Sequence, residues 1–380
     1  MAGLATYLFF LGTALLPVYI FNSGGIQPAH LVLFTFSMIT LLTRGFPVTL
    51  WSMALLAIFV HAFSVESTYV FLGGDPQFLL NGVFLFFNII IAAAAYVHVR
   101  ETGLKTLLLG VACAATIAIG TVAYSGVNLS SLDGGGRPTG TFNNPNQLGY
   151  FSACLLSITF LLYKGKQLNY WMAAIMFAIA MLLAIASLSK AAIISNFVVI
   201  ILALRPVRSR NAMFGWAIIG LIGVFYLFQQ FQNGAFDELL FVKRLANISI
   251  ENDSSLRSRG YFAFVEGSAL QLLFGMGAQN INKIVGHEVH STFASILNNY
   301  GLIGLTIFSI AMLNWAVKLF KSYGFVGFIC VAAPPMLYGI THNGTRFTFF
   351  WLLFAASMAY AERERRHSSP KATIESDGRY

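Results

Sequence analysis

Apolar residues recur along this chain in runs of about twenty, separated by short polar breaks. Runs of that length read as membrane spans. They fall near 4–22, 28–43, 46–64, 77–98, 104–124, 147–163, 168–187, 190–204, 213–231, 291–317, 322–341 and 346–361. The pattern predicts an all-α chain, a polytopic membrane bundle of about twelve transmembrane helices. The first run has no basic flank and leads straight into further spans, so it reads as a retained helix and not as a cleaved signal. Four regions follow. Residues 1–231 carry the first nine spans, with a short outer loop at 125–146; residues 232–290 form a long loop; 291–361 hold the last three spans; and 362–380 form a tail.

Composition excludes the soluble alternative. Of the 380 residues, 57% are hydrophobic and 10% are charged, whereas a soluble domain carries about 25% charged residues. So few charges cannot cover a soluble surface.

The cations then orient the chain. Arg44, the pair Arg100 and Lys105, Lys164 with Lys166, the cluster Arg205, Arg208 and Arg210, and Lys318 with Lys321 all fall in alternate loops. Arg363, Arg365 and Arg366 in the tail continue the series, while loops 22–27 and 65–76 hold no Lys or Arg. The positive-inside rule places both termini in the cytoplasm and puts 125–146 and 232–290 outside. This bias accounts for the net charge of +9, so the expected partner is the lipid bilayer and not nucleic acid. Cys113, Cys154 and Cys330 all lie within spans, where none can staple an outer loop.

Candidate chemistry gathers in the outer segments. A connection as long as 232–290 is usually functional or disordered, and its Phe and Leu content argues against disorder. Residues 255–274 read as one amphipathic interfacial helix, with Arg259, Phe262 and Glu266 on one face and Arg257 beside Tyr261 and Phe264. Gly275–Gly277 would end it. Drawn as a helix starting near His290, the next segment puts Gly301 about 20° and Gly304 about 40° from the histidine. His290 would then top a stripe of small residues that another helix can approach. An imidazole there can act as a base toward both a lipid-borne donor and a soluble acceptor. On spacing alone, a histidine at a helix start more often serves as an interfacial anchor or cap. The His287-Glu288-x-His290 run lacks i,i+4 spacing and a third ligand, so neither metal nor other cofactor is expected.

The shorter outer loop sets Arg137 after Gly134–Gly136, a pattern suited to an anion. Its Asn144-Pro145-Asn146 reads as the start of the sixth span. Six cations lie where such residues are scarce: Arg137, Lys190, Arg257, Arg259, Lys283 and Arg346. Each alone suits a snorkelling side chain; together they suggest an anionic ligand. His342, just ahead of Arg346, and Glu266 complete the candidate binding set.

His290-Ser291, nine residues, then Gly301-x-x-Gly304 resembles the H-(N/S)-x9-G-x-x-G pattern of the O-antigen ligase and O-antigen polymerase superfamily. Arg257-x-x-x-Tyr261 and Leu273–Gly277 resemble that family's Arg, aromatic and Gly-x-Gly elements. Residues 136–150 resemble its first outer loop, and Ser189-Lys190 its Ser-Arg pair. The chain departs in carrying Lys190 for Arg, Tyr261 for Trp, and no proline before Gly275.

The resemblance implies a GT-C-like glycosyltransferase of a bacterial inner membrane with its active side periplasmic. Such an enzyme moves a glycan from undecaprenyl diphosphate to an acceptor hydroxyl, on another glycan or on lipid A core, with inversion and without metal. It implies His290 as base or acceptor-orienting group and Arg257 as diphosphate ligand, supported by Arg137 and Lys190. Nothing in the chain marks a lipid A acceptor, which inclines the reading toward a polymerase. The alternative is a flippase of a polyisoprenoid-linked glycan, favoured by Pro334-Pro335 but lacking an obvious midplane charge. A third reading is a structural partner in polysaccharide export, which leaves the outer cations without a task.

Overall fold

A computed structural model of the chain describes residues 2–21, 25–125, 139–204 and 260–368. Among these residues the fold is all-helical. In chain order the helices are α1 (Ala2–Ala14), α2 (Pro28–Arg44), α3 (Leu50–Phe71), α4 (Leu79–Thr102), α5 (Lys105–Tyr124) and α6 (Pro145–Lys164). Then come α7 (Tyr170–Ala186), α8 (Lys190–Leu204), α9 (Ala269–Phe274), α10 (Gly277–Val285), α11 (Thr292–Thr341) and α12 (Thr348–Ser368). The expected ninth span, 213–231, and the first part of the long loop lie outside the described residues.

Local chemistry sets many of the boundaries. Asn144 caps α6 by accepting from Gln147 N at 2.9 Å, with Pro145 in the first turn. Asn169 caps α7 through Met172 N at 2.9 Å. Gly45 and Gly103 end α2 and α4 with positive φ.

Among the described residues, four segments are long and apolar enough to cross a membrane: α3, Pro76–Thr102, α5 and α11. Shorter apolar helices lie at Gly3–Ala14, Pro28–Arg44, Tyr170–Ala186 and Ala191–Ala203. Packing distinguishes two kinds of helix. Asn88–Val99 of α4, Leu148–Leu162 of α6 and Thr348–Ala359 of α12 are buried on every side, which makes them the core of the bundle. The helices around them present apolar side chains outward as well, among them Val60, Leu109, Trp171, Ile194 and Leu313. An outer surface this apolar suits lipid better than water.

Three expectations change. The tenth span is not one helix through 291–317, because Gly301 breaks α11 with φ 66 and ψ −169. Gly324 breaks it again with φ 69 and ψ −176, leaving three helical pieces. Second, α3 runs on to Phe71, so Glu66 belongs to a buried helix face and not to an open loop. Third, α12 continues to Ser368, so the basic residues Arg363 and Arg365 extend a helix instead of opening a tail at 362.

The helices also sort the polar residues. α2 carries His30 near one end and Arg44 at the other, α4 Asn81 and Arg100, and α6 Asn146 and Lys164, while α12 follows Arg346 and carries Arg363 toward its far end. One end of the bundle therefore carries the short-loop cations, and the other carries histidines and amides.

Candidate functional site

At the histidine and amide end, the chain leaves α9 through Gly275, Met276 and Gly277 and meets the broken part of α11. Of the expected helix 255–274, residues 255–259 lie outside the described residues, and 260–274 do not form one helix. Gly260 turns with φ 75, Ala263–Glu266 make a single 3-10 turn, and Ser268 caps the short α9. Glycines at 260 and 267 and a serine that competes for backbone donors interrupt the amphipathic pattern.

The two glycine motifs lie against each other. A Cβ on Gly275 would overlap Asn299 O and Tyr300 Cα, and one on Gly301 would overlap Leu273 O and Gly275 N. Because α11 stops at Gly301, carbonyls just before it need partners outside the helix. Met276 N donates to Asn298 O at 2.9 Å, and His61 Nε2 lies 2.8 Å from Tyr300 O. The last turns of α3 complete the junction. Tyr69 Oη donates to Gly275 O at 3.2 Å, and the buried Glu66 accepts from Ala278 N at 3.0 Å.

His290 consequently does not top a small-residue stripe. Ser291 caps α11 by accepting from Ala294 N at 3.3 Å, so His290 stands just outside the helix, exposed and stacked on His287 with ring centroids 5.0 Å apart. Ser291 Oγ also donates to Tyr261 Oη at 2.9 Å, and Tyr261 Oη donates to Ile340 O at 2.6 Å. Those bonds tie the segment before α11 to the helix's far end. Gly304 sits below, closest to Tyr300 and then His61.

The last outer loop closes the site. Asn343 Oδ1 accepts from Thr345 N at 3.1 Å, and Thr345 O accepts from Trp351 Nε1 at 2.8 Å and Asn88 Nδ2 at 3.2 Å. His342 stacks on Tyr338 at 4.6 Å, and Tyr338 on Tyr150 at 5.1 Å. Arg346 leaves this rigid loop to pair with Glu288 at 3.2 Å and to hydrogen-bond Asn81.

The result is a cavity of about 260 Å3 lined by His290, His342, Arg346, Glu288, His30 and Asn146, among others. A smaller one of about 60 Å3 adjoins it, sharing Arg346, Glu288 and Asn343. The larger cavity is mixed in character, with imidazoles, amides, one ion pair, and the rings of Tyr19, Tyr150 and Phe347.

Of the residues singled out in the sequence, His290, His342 and Arg346 meet here. Ser291, Gly301 and Gly304 build the wall behind them. Glu266 does not join them: it is exposed at the end of its 3-10 turn and lines neither cavity. Lys283 is exposed in the last turn of α10 and lines neither. Lys190 opens α8 after Leu188, which holds φ 52, and Ser189, which lies close to Gly149. Arg137, Arg257 and Arg259 lie outside the described residues.

Sequence reasoning passed over His30, Asn81 and Glu66. His30 was legible as an imidazole in the first turn of an apolar run, held by Gln27 N donating to its Nδ1 at 3.1 Å. Glu66 carried no signal beyond being an acid near a span end. Among the described residues, no three His, Cys, Asp or Glu are grouped so as to hold a metal ion. No protein-family model matches the chain, and no curated protein matches it.

Proposed function

We propose that the chain is a membrane glycan transferase of the O-antigen ligase and polymerase kind. It moves a glycan from an undecaprenyl-diphosphate-linked donor to an acceptor sugar hydroxyl. On this reading about twelve spans form a GT-C-like bundle in a bacterial inner membrane, with both termini cytoplasmic and the polar cavity periplasmic. One observation carries the reading. His290, His342 and Arg346 surround a single polar cavity at the end of the bundle away from the basic loops.

The chemistry follows from these groups. A neutral imidazole at position 290 takes the proton of the acceptor hydroxyl as its oxygen attacks the anomeric carbon. The bond from that carbon to the diphosphate oxygen breaks, and the diphosphate leaves with the electron pair. Arg346, oriented beforehand by Glu288 and Asn81, meets the developing charge. The family resemblance adds Arg257, Arg137 and Lys190 to that task. Aromatic faces and amides around the cavity suit sugar rings and hydroxyls.

Deleting the gene in its host and resolving surface and lipid-linked glycans on a gel tests the reading. A ligase leaves bare core lipid while long chains accumulate on the carrier; a polymerase leaves single repeat units. Re-expressed His290→Ala should fail to restore glycan while reaching the membrane at wild-type level, whereas His287→Ala should restore it largely. Full restoration by His290→Ala would return that residue to an interfacial anchor.

The Gly301 break and the buried Glu66 favour a second reading as a flippase, since transport sites use interrupted helices and buried charge. The polar groups gather at one end and not at the midplane, which favours transfer. Single lipid-linked units trapped on the cytoplasmic face would select the flippase.

A further inference from the structure

At the opposite end of the bundle, Lys164, Lys166, Lys321, Arg363 and Arg365 surround a notch of about 610 Å3. Glu364 is the one acid among its lining residues. Glycan transfer gives these bases no task. They arrive from three directions: the turn after α6, the piece of α11 ahead of Gly324, and the end of α12. Their seating is specific. Arg363 Nη1 donates to Glu101 O at 3.2 Å, and Arg365 Nε donates to Ser322 Oγ at 3.2 Å. The neighbouring acid Glu362 is instead taken up by Lys318 and Tyr96, outside the notch.

Lys166 adds a second kind of observation. It holds φ 55, in the left-handed region that favours glycine. Gln167 N donates to Leu162 O at 3.0 Å across it, closing the end of α6. A glycine would make that turn without strain, yet the chain places an amine there, on the rim of the notch. The surroundings point to lipid. Phe320 and Phe325, 53% and 65% exposed, flank Lys321 and Ser322 on the outer surface.

We propose that this notch binds the phosphate headgroup of an anionic phospholipid, whose acyl chains lie along Phe320 and Phe325. Basic pockets between membrane helices hold such headgroups by charge and hydrogen bonding. Soluble phosphate would meet the same bases, so the test separates the two sources.

The full chain is placed in phosphatidylcholine nanodiscs and titrated with fluorescent phosphatidylglycerol, with inorganic phosphate as competitor at constant ionic strength. Wild type should bind saturably, and inorganic phosphate should not compete. Lys166→Gly combined with Lys321→Gln should weaken binding about 25-fold, from about 5-fold per lysine. Its unfolding temperature in phosphatidylcholine alone should stay level or rise, because Lys166→Gly relieves the turn. Lys105→Gln removes a cation of the same end that does not line the notch, and should leave binding unchanged. Undiminished binding by the double variant would overturn the proposal. An equal loss in Lys105→Gln would do the same, since attraction would then belong to the whole basic end. Full competition by inorganic phosphate would overturn the lipid source.

Discussion

Gly301 and Gly324 interrupt α11 with nearly the same backbone, φ 66 and φ 69, yet their surroundings have little in common. An added Cβ at Gly324 would meet nothing within 4 Å. That glycine serves only to let the chain turn. At Gly301 the added carbon would overlap the backbone of Leu273 and Gly275, so this glycine supplies both the turn and the space. The same residue in the same long helix is a bend at the basic end and a backbone-on-backbone junction at the cavity end. Junctions of that kind fix a loop against a helix end, which is what a cavity built partly from loop residues requires.

Gly301→Ala should therefore be the most damaging single change. Holding an alanine at this positive φ with extended ψ costs about 1–3 kcal/mol, and forcing a methyl into packed backbone costs about 1–3 kcal/mol more. Because backbone cannot rotate away, we expect a loss of about 3 kcal/mol or more, read as a large fall in unfolding temperature in detergent. A mild shift would mean that the α9–α11 junction opens easily. Gly275→Ala sharpens the point, since its Cβ would strike Asn299 and Tyr300 from the other side of the same contact. Once one methyl has opened the junction, the second should cost less. The double variant should thus be less destabilised than the two singles added together, by about 1 kcal/mol or more. Strict additivity would show two independent strains. Gly324→Ala keeps the strain but meets open space, so its cost should stay within the backbone strain of about 1–3 kcal/mol alone.

The contrast also explains what could be read from the sequence. All-helical character was plain from apolar runs with almost no charge, and the sorting of Arg44, Arg100, Lys164 and Lys321 to one end followed from alternating loops. His290, His342 and Arg346 were legible as polar residues at span ends on the side poor in cations. Their shared cavity was not, because it depends on how α2, α4, α6 and the 342–347 loop pack. The Gly301 break was hidden for a specific reason. Thr292–Tyr300 and Leu302–Tyr323 are both good helix, so the apolar pattern runs unbroken through a glycine that periodicity treats as neutral. The signal lay in pairing it with Gly275 and Gly277, which the spacing alone does not put in contact. Glu66 escaped because α3 outlasts its apolar run by about two turns and buries the acid against the start of α10.

The smallest predicted effect concerns what holds the Gly324 end. At the cavity end the Gly275–Gly301 contact itself is backbone on backbone and does not titrate, although His61, Tyr69 and Glu66 brace it, whereas the basic end is tied by Lys318 and Tyr96 on Glu362. Burial opposes the charge on Glu362, which lies past the apolar run of α12. The hydrogen bonds from Lys318 and Tyr96 outweigh that burial and hold its carboxyl below the ordinary value. A depressed folded value means that the stabilisation is complete above the unfolded value, about 4.3, and is lost as pH falls through the folded one. Side chains of Lys318 and Glu362 remain 21% and 23% exposed, so the contribution should stay under about 1 kcal/mol. Unfolding temperatures of wild type and Glu362→Gln should differ near neutral pH and converge as the pH falls to about 3. The deficit of Gly301→Ala should persist unchanged over the same range. If the Glu362→Gln deficit were equally independent of pH, both ends would be held by packing, and the division between a charged end and a backbone-locked end would fail.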